Sequence, residues 1–162
     1  MGNNMSQEEN IIGLISQYVE MVEKLSTYSA HGFLSKCAII LPQIYSLGMA
    51  MPDSDIEDKD VDVEIVSPLG SIEILMGKYD RYNVVYEPSR EDKVVVGSLS
   101  DDLSDIYLDL KKALVNYQHG HKKDALWQIK FYLKSHAGTH LVDALYVMHR
   151  LIEDMDPDYK NV

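Results

Sequence analysis

Apolar residues recur along this chain at three- and four-residue steps, the period of helices that bury one face. The first set is Ile11, Leu14, Ile15, Tyr18, Val19, Val22 and Leu25. Ser6 stands before it with Glu9 three residues on, the pairing of a capping box, so a helix is predicted from there to residue 28. A second set, Leu34, Cys37, Ala38, Leu41 and Ile44, predicts a helix over residues 30–47. Pro42 lies inside it and removes a backbone hydrogen bond, which predicts a kink or break over residues 38–42.

The last third of the chain repeats the pattern more strongly. Ser98 or Ser100 can cap a helix whose stripe is Leu103, Ile106, Tyr107, Leu110, Leu114 and Tyr117, and Gly120 ends it. His119 and His121 flank that glycine, where an imidazole answers the negative end of a helix. From residue 122 to residue 155 the pattern is almost unbroken, with Gly138 its one weak point, a place for a bend or for close approach by a neighbour. Ala125, Ile129, Tyr132, Leu133, Ala144, Val147 and Leu151 make one face of this helix. Trp127, Phe131, Leu145 and Ile152 make another, which predicts a central helix, with Trp127 and Phe131 in a helix contact or a homodimer interface. Because the connection at Gly120 is short, the two C-terminal helical patterns are expected to form an antiparallel hairpin.

Between these helical parts the pattern changes. Seven carboxylates and one lysine fall between Asp53 and Glu64, and residues 53–66 read as a solvated acidic linker. The stretch starts like a calcium loop, yet Asp58 stands where that loop needs glycine and Asp60 where it takes an apolar residue. Pro68 can open a short helix through residue 76. The β-branched stretches 84–86 and 94–96 flank the turn-like Pro88-Ser89-Arg90 and allow a small β-hairpin. The fold class that follows is mainly α: a bundle of four or more helices with room for a hairpin insertion.

Composition narrows the function classes. A length of 162 residues suits one domain spanning residues 1–162. The net charge of −11, with no basic stripe, argues against nucleic acid and anionic membrane as partners and leaves a protein partner or a cation. Cys37 is the single cysteine, so no intrachain disulfide forms, and a reducing, cytoplasmic setting is expected. It sits in an apolar helical pattern, where a thiol is inert. No nucleophile elbow, phosphate-binding loop or dinucleotide fingerprint is present.

The candidate chemistry lies in the C-terminal helices. His136, His140 and Asp143 fall within about 60° of one another at 100° per residue, in the middle of the first apolar stripe, and are therefore expected to be buried. Buried imidazoles and carboxylates must bond to each other, to tyrosines, to water or to an ion. The spacing suits one divalent metal ion held from a single helix face. Asp102, Asp105 and Asp109 form a similar row on the preceding helix, which a hairpin would bring toward the histidines. Their angular position puts them at the edge of that helix's stripe or in solvent.

Two stretches resemble a known family. Asp101-Asp102-Leu103-Ser104-Asp105-Ile106-Tyr107-Leu108-Asp109-Leu110 and His136-Ala137-Gly138-Thr139-His140-Leu141-Val142-Asp143-Ala144-Leu145 are similar to the two blocks of a bacterial domain-of-unknown-function family, number 5063, with Trp127 as the element between them. The chain departs from the family pattern at Ala137, where tryptophan is usual. The resemblance implies a bacterial, cytosolic helical protein without assigned activity, and it links the two blocks as one site. Two functions follow. The first is a non-enzymatic module that binds a partner or small ligand and whose His/Asp cluster fixes the core. The second is a metal-dependent hydrolase with Asp105, Asp109, His136, His140 and Asp143 around the ion.

Overall fold

The computed structural model describes residues 6–53, 55–57, 59–85, 89–90 and 93–156. Helix α1 spans Gln7–Glu23, and its capping box is formed: the Glu9 amide donates to Ser6 Oγ at 3.1 Å and the Ser6 amide to Glu9 Oε2 at 2.9 Å. A single 3-10 turn, Leu25–Thr27, follows in place of the last helical turn expected to residue 28. Helix α2 spans Ala30–Ala50. Pro42 lies inside it, so of the kink or break expected from the sequence the break does not occur. Leu41 and Ile44 on either side are fully buried, and Gln43 Nε2 donates to the Ile39 carbonyl at 2.7 Å, so packing and a side-chain bond hold the turn that proline weakens. By length and composition α2 is apolar enough to cross a membrane; in this fold it packs against α1, α5 and α6.

Helix α3, Leu69–Met76, starts at Pro68 as its capping residue. Strands β1, Arg81–Val85, and β2, Val94–Ser98, pair antiparallel with Tyr82 opposite Gly97 and Asn83 opposite Val96, so the hairpin is present. Tyr86 and Pro88 of the expected hairpin, and Asp58 of the acidic stretch, lie outside the described residues. Helix α4, Leu99–Gln118, follows β2 directly. Ser98 caps it, as expected, with Asp80 as a second cap: the buried Asp80 carboxylate accepts from the Ser100 amide at 2.8 Å and from Ser98 Oγ at 3.1 Å.

Helix α4 is the hub, touching α1, α3, β2, α5 and α6. Its apolar stripe, Leu103, Ile106 and Leu110, is fully buried, and Tyr18 of α1 donates its buried hydroxyl to the Leu103 carbonyl at 2.7 Å. After Gly120, with φ of 89°, the chain turns back. Asn116 of α4 then meets Gln128 of α5 at 2.8 Å, and further along Asp109 meets His136, so the antiparallel hairpin predicted for the C-terminal third is formed.

The return arm is two helices, α5 (Lys122–Ser135) and α6 (Ala137–Met155), where an almost unbroken one was expected. His136 at the junction leaves helical geometry, with φ −143° and ψ −75°. Gly138 marks the bend for a steric reason: a Cβ there would stand 1.9 Å from the Leu133 carbonyl oxygen. The break also resets the helical phase. Ala125, Ile129 and Leu133 of α5 and Ala144 and Val147 of α6 are buried, as expected for the first face. The second face does not persist: Leu145 and Ile152 pack on the core, while Phe131 is 46% exposed.

The acidic stretch is solvated as its composition implies, with only Val61 and Ile65 half-buried among its described residues, and it is also tethered along α4 and α5 as a strap. Asn116, fully buried, accepts from the Val61 amide at 2.9 Å and donates to Asp60 at 2.9 Å. The buried Asp124 carboxylate accepts from the Glu57 amide at 2.7 Å. Lysines of α4 and α5 answer the remaining charge, in the pairs Lys112–Asp60 (3.0 Å), Lys123–Glu57 (3.1 Å) and Lys130–Asp53 (2.6 Å). Lys59 and Lys123 hold the Glu57 carboxyl down to about 2. These carboxylates are spent on lysines and amides, in keeping with the rejection of a calcium loop.

Because the Leu133 carbonyl is backbone and cannot swing aside, Gly138→Ala is expected to destabilise folding by about 2 kcal/mol or more, measured by denaturant titration.

Candidate metal centre

Three elements bring the polar cluster together. Helix α4 contributes Asp102, Asp105 and Asp109, the α5–α6 junction contributes His136, and α6 contributes His140 and Asp143. The two histidines are held in the same way. His136 Nδ1 lies 2.8 Å from Asp109 Oδ2, and His140 Nδ1 lies 2.7 Å from Asp102 Oδ1. Their Nε2 atoms both face Asp105: that of His140 is 3.4 Å, and that of His136 3.8 Å, from Asp105 Oδ2. The rings meet edge to face with centroids 4.7 Å apart.

Asp105, His136 and His140 thus each offer one ligand atom, all within 4.8 Å of one another. An ion about 2.0–2.2 Å from nitrogen and oxygen donors in tetrahedral geometry holds those donors roughly 3.3–3.6 Å apart. The observed spacing needs only small ring movements to reach that range. Asp109 and Asp102 would then sit behind the ligands, each accepting the Nδ1–H of a histidine whose Nε2 carries the free lone pair.

The electrostatics fit a site short of positive charge. Burial pushes the Asp105 carboxyl up, and its acidic neighbours Asp101 and Asp109 add to the rise against the pull of His140 and His136. Burial also raises Asp143, with Asp102 adding to it. His140 is raised in turn, because the hydrogen bond to Asp102 stabilises its charged form more than burial opposes it.

Four members of the cluster, Asp102, His136, His140 and Asp143, line an open cleft of about 570 Å³ between the hairpin and α6, together with Glu73, Arg81, Tyr82, Ser98 and Thr139; Asp105 and Asp109 are not part of its lining. This is the main correction to the sequence reading, which expected His136, His140 and Asp143 in the core. The His136 side chain is 51% exposed and that of His140 24%, and Asp143 is half-buried. The stripe was drawn at constant phase through residue 136, and the helix breaks there. Asp102 is displaced in the opposite sense. Expected at an edge or in solvent, it is buried, because Tyr82 of the hairpin covers it and donates its hydroxyl to Oδ2. Asp102, already in the row read from spacing though outside the five residues placed around the ion, thus belongs to the cluster, and Tyr82 joins it with no periodicity in the sequence to signal the role.

The other singled-out residues lie elsewhere. Trp127 is half-buried in the middle of α5, outside the cluster, its ring stacked on Phe131 at 4.9 Å and 8° beside Lys130 and Lys134. His119 does close its helix, with Nδ1 2.9 Å from the Val115 carbonyl. Cys37 is fully buried, and burial pushes its thiol far up, so it is no nucleophile.

With its value raised in the fold, protonated His140 adds stability that is fully present below the unfolded histidine value and is lost as pH rises through the folded one. In metal-free protein, His140 should titrate above an ordinary histidine by NMR, and Asp102→Asn should lower that midpoint by removing the charged acceptor.

Comparison with known proteins shows the fold and the family. The protein BF1032 from Bacteroides fragilis, known from a structural-genomics crystal structure, superposes with a TM-score of 0.75 at 17% identity, over 87% of this chain and 89% of that one. At that identity the likeness is one of fold. No curated protein matches the sequence. The family model described as "Domain of unknown function (DUF5063)" matches residues 4–154, nearly the whole chain and both polar blocks, and the chain accordingly belongs to that family.

Proposed function

We propose that the protein binds one divalent transition-metal ion through Asp105, His136 and His140 and uses it for metal-dependent hydrolysis in the cleft beneath the β-hairpin. The observation that carries this reading is the orientation of the two histidines. Each has Nδ1 on a carboxylate and Nε2 toward the shared Asp105, the arrangement by which proteins hold metal-ligating imidazoles. Two imidazoles and one carboxylate suit zinc, iron(II) or cobalt(II) better than calcium or magnesium.

Asp105, His136 and His140 would hold the ion, and the ion would supply Lewis acidity that activates a water for attack. The remaining tasks fall to the chain's own groups. Asp102 and Asp109 fix the tautomers and ring planes of His140 and His136. Asp143, whose carboxyl is raised by burial, lines the cleft one helical turn beyond His140 and is placed to pass a proton to a leaving group. The exposure of His136 and His140 supports this function over a purely structural network, since groups that only fix a core gain nothing from facing a water-filled cleft.

Protein prepared without a histidine tag should contain close to one zinc, iron or cobalt ion per chain by elemental analysis. Chelation should lower its melting temperature, because an ion at a hundredfold excess over Kd stabilises by about 2.7 kcal/mol. His140→Ala should abolish both effects. Absence of metal, together with no thermal shift on adding zinc(II), would leave the cluster as the polar network of a non-enzymatic binding module.

A further inference from the structure

From the geometry we infer that the β-hairpin is a working part of the proposed metal site. Tyr82 is a positioning residue that acts on His140 through Asp102, and hairpin closure and metal binding are thereby coupled. The inference rests on the metal-binding reading above.

The hairpin has little hydrophobic reason to stay closed. In both strands the side chains alternate between exposed and half-buried, Val94 and Val96 are 59% and 68% exposed, and an isolated two-stranded ribbon is marginal in water. Among the described residues, besides the exposed ion pair of Arg81 with Glu73 (3.6 Å), two polar attachments hold it. One is at its base, where the Leu99 amide donates to the Asp80 carbonyl at 2.8 Å and the Asp80 side chain caps α4. The other is the Tyr82 hydroxyl on Asp102.

Tyr82 is aimed by its strand partner. Gly97 lies directly opposite in the ladder, and a Cβ there would stand 2.7 Å from Tyr82 Cζ and 3.0 Å from its hydroxyl oxygen. The phenol therefore lies across the glycine with its hydroxyl over α4. Asp102, 6% exposed, spends one oxygen on this hydroxyl and the other on His140 Nδ1. Removing the phenol oxygen leaves a buried carboxylate oxygen without its donor, and a carboxylate free to rotate no longer fixes the ring that presents Nε2 to Asp105. Coupling is reciprocal: if closure of the hairpin tightens metal binding, metal binding must hold the hairpin shut by the same factor.

The test is a titration of metal-free protein with cobalt(II), read by its visible d–d spectrum, in wild type, Tyr82→Phe, Gly97→Ala and His140→Ala. Hydrogen exchange of the hairpin strands, residues 81–85 and 94–98, is followed with and without zinc(II). Tyr82→Phe keeps the ring, and Gly97→Ala keeps the phenol but displaces it. Both should bind one ion about tenfold more weakly, at the lower end of the loss expected for an outer partner of a ligating histidine, with an altered spectrum. Zinc should slow hairpin exchange in wild type and leave it unchanged in Tyr82→Phe. If both variants bind with wild-type affinity and spectrum and zinc leaves hairpin exchange untouched, the coupling is overturned while the metal site stands. If wild type takes up no ion, or His140→Ala binds as wild type does, the metal reading itself fails.

Discussion

The structure depends on one break in a helix. At His136 the return arm of the C-terminal hairpin leaves helical geometry for a residue and resumes so close to the preceding turn that only glycine fits at position 138. A straight helix through this point would keep one stripe toward α4 and the core, and would carry His136 and His140 inward with it. The break lets α5 and α6 both pack on α4 while the polar residues at the junction come out into the cleft.

The main features of the fold were legible in the sequence because they rest on local chemistry. The Ser6–Glu9 box, the Ser98 cap, the stop at Gly120 and the β-branched stretches around the turn each encode an element in a few residues, and each element is present. The aspartates and histidines could be paired because an antiparallel hairpin brings residues 102–109 opposite 136–143. What failed is what needs the third dimension. A stripe drawn at 100° per residue cannot know that the phase is reset at His136, so it buried His136, His140 and Asp143. An angular map of α4 alone left Asp102 near solvent, because the residue that covers it comes from the hairpin.

The acidic stretch teaches the same lesson. Its composition is that of a solvated segment, and most of its carboxylates are indeed near the surface. What docks it is the set of buried polar groups beneath. Asn116, Asp124 and Gln128 lie on the inner faces of α4 and α5, where a sequence pattern expects apolar residues, and they accept or donate to the strap's backbone and to Asp60. A buried polar residue on an amphipathic helix marks a partner to be found, here a length of the same chain.

This arrangement divides the molecule electrically. Lys112, Lys123, Lys130 and Lys134 gather along the strap, where Asp53, Glu57 and Asp60 neutralise them. At the cleft, Arg81 is engaged with Asp80 and Glu73, and the carboxylates of Asp101, Asp102, Asp105, Asp109 and Asp143 crowd around two imidazoles. Beside the cleft, carboxylates therefore outnumber the basic groups that face them, while along the strap lysines answer several of the acids. A small cation diffusing past would be drawn in faster than chance encounter allows, and an anion turned away. Added salt would blunt both effects, since mobile ions screen such charges over about 8–10 Å.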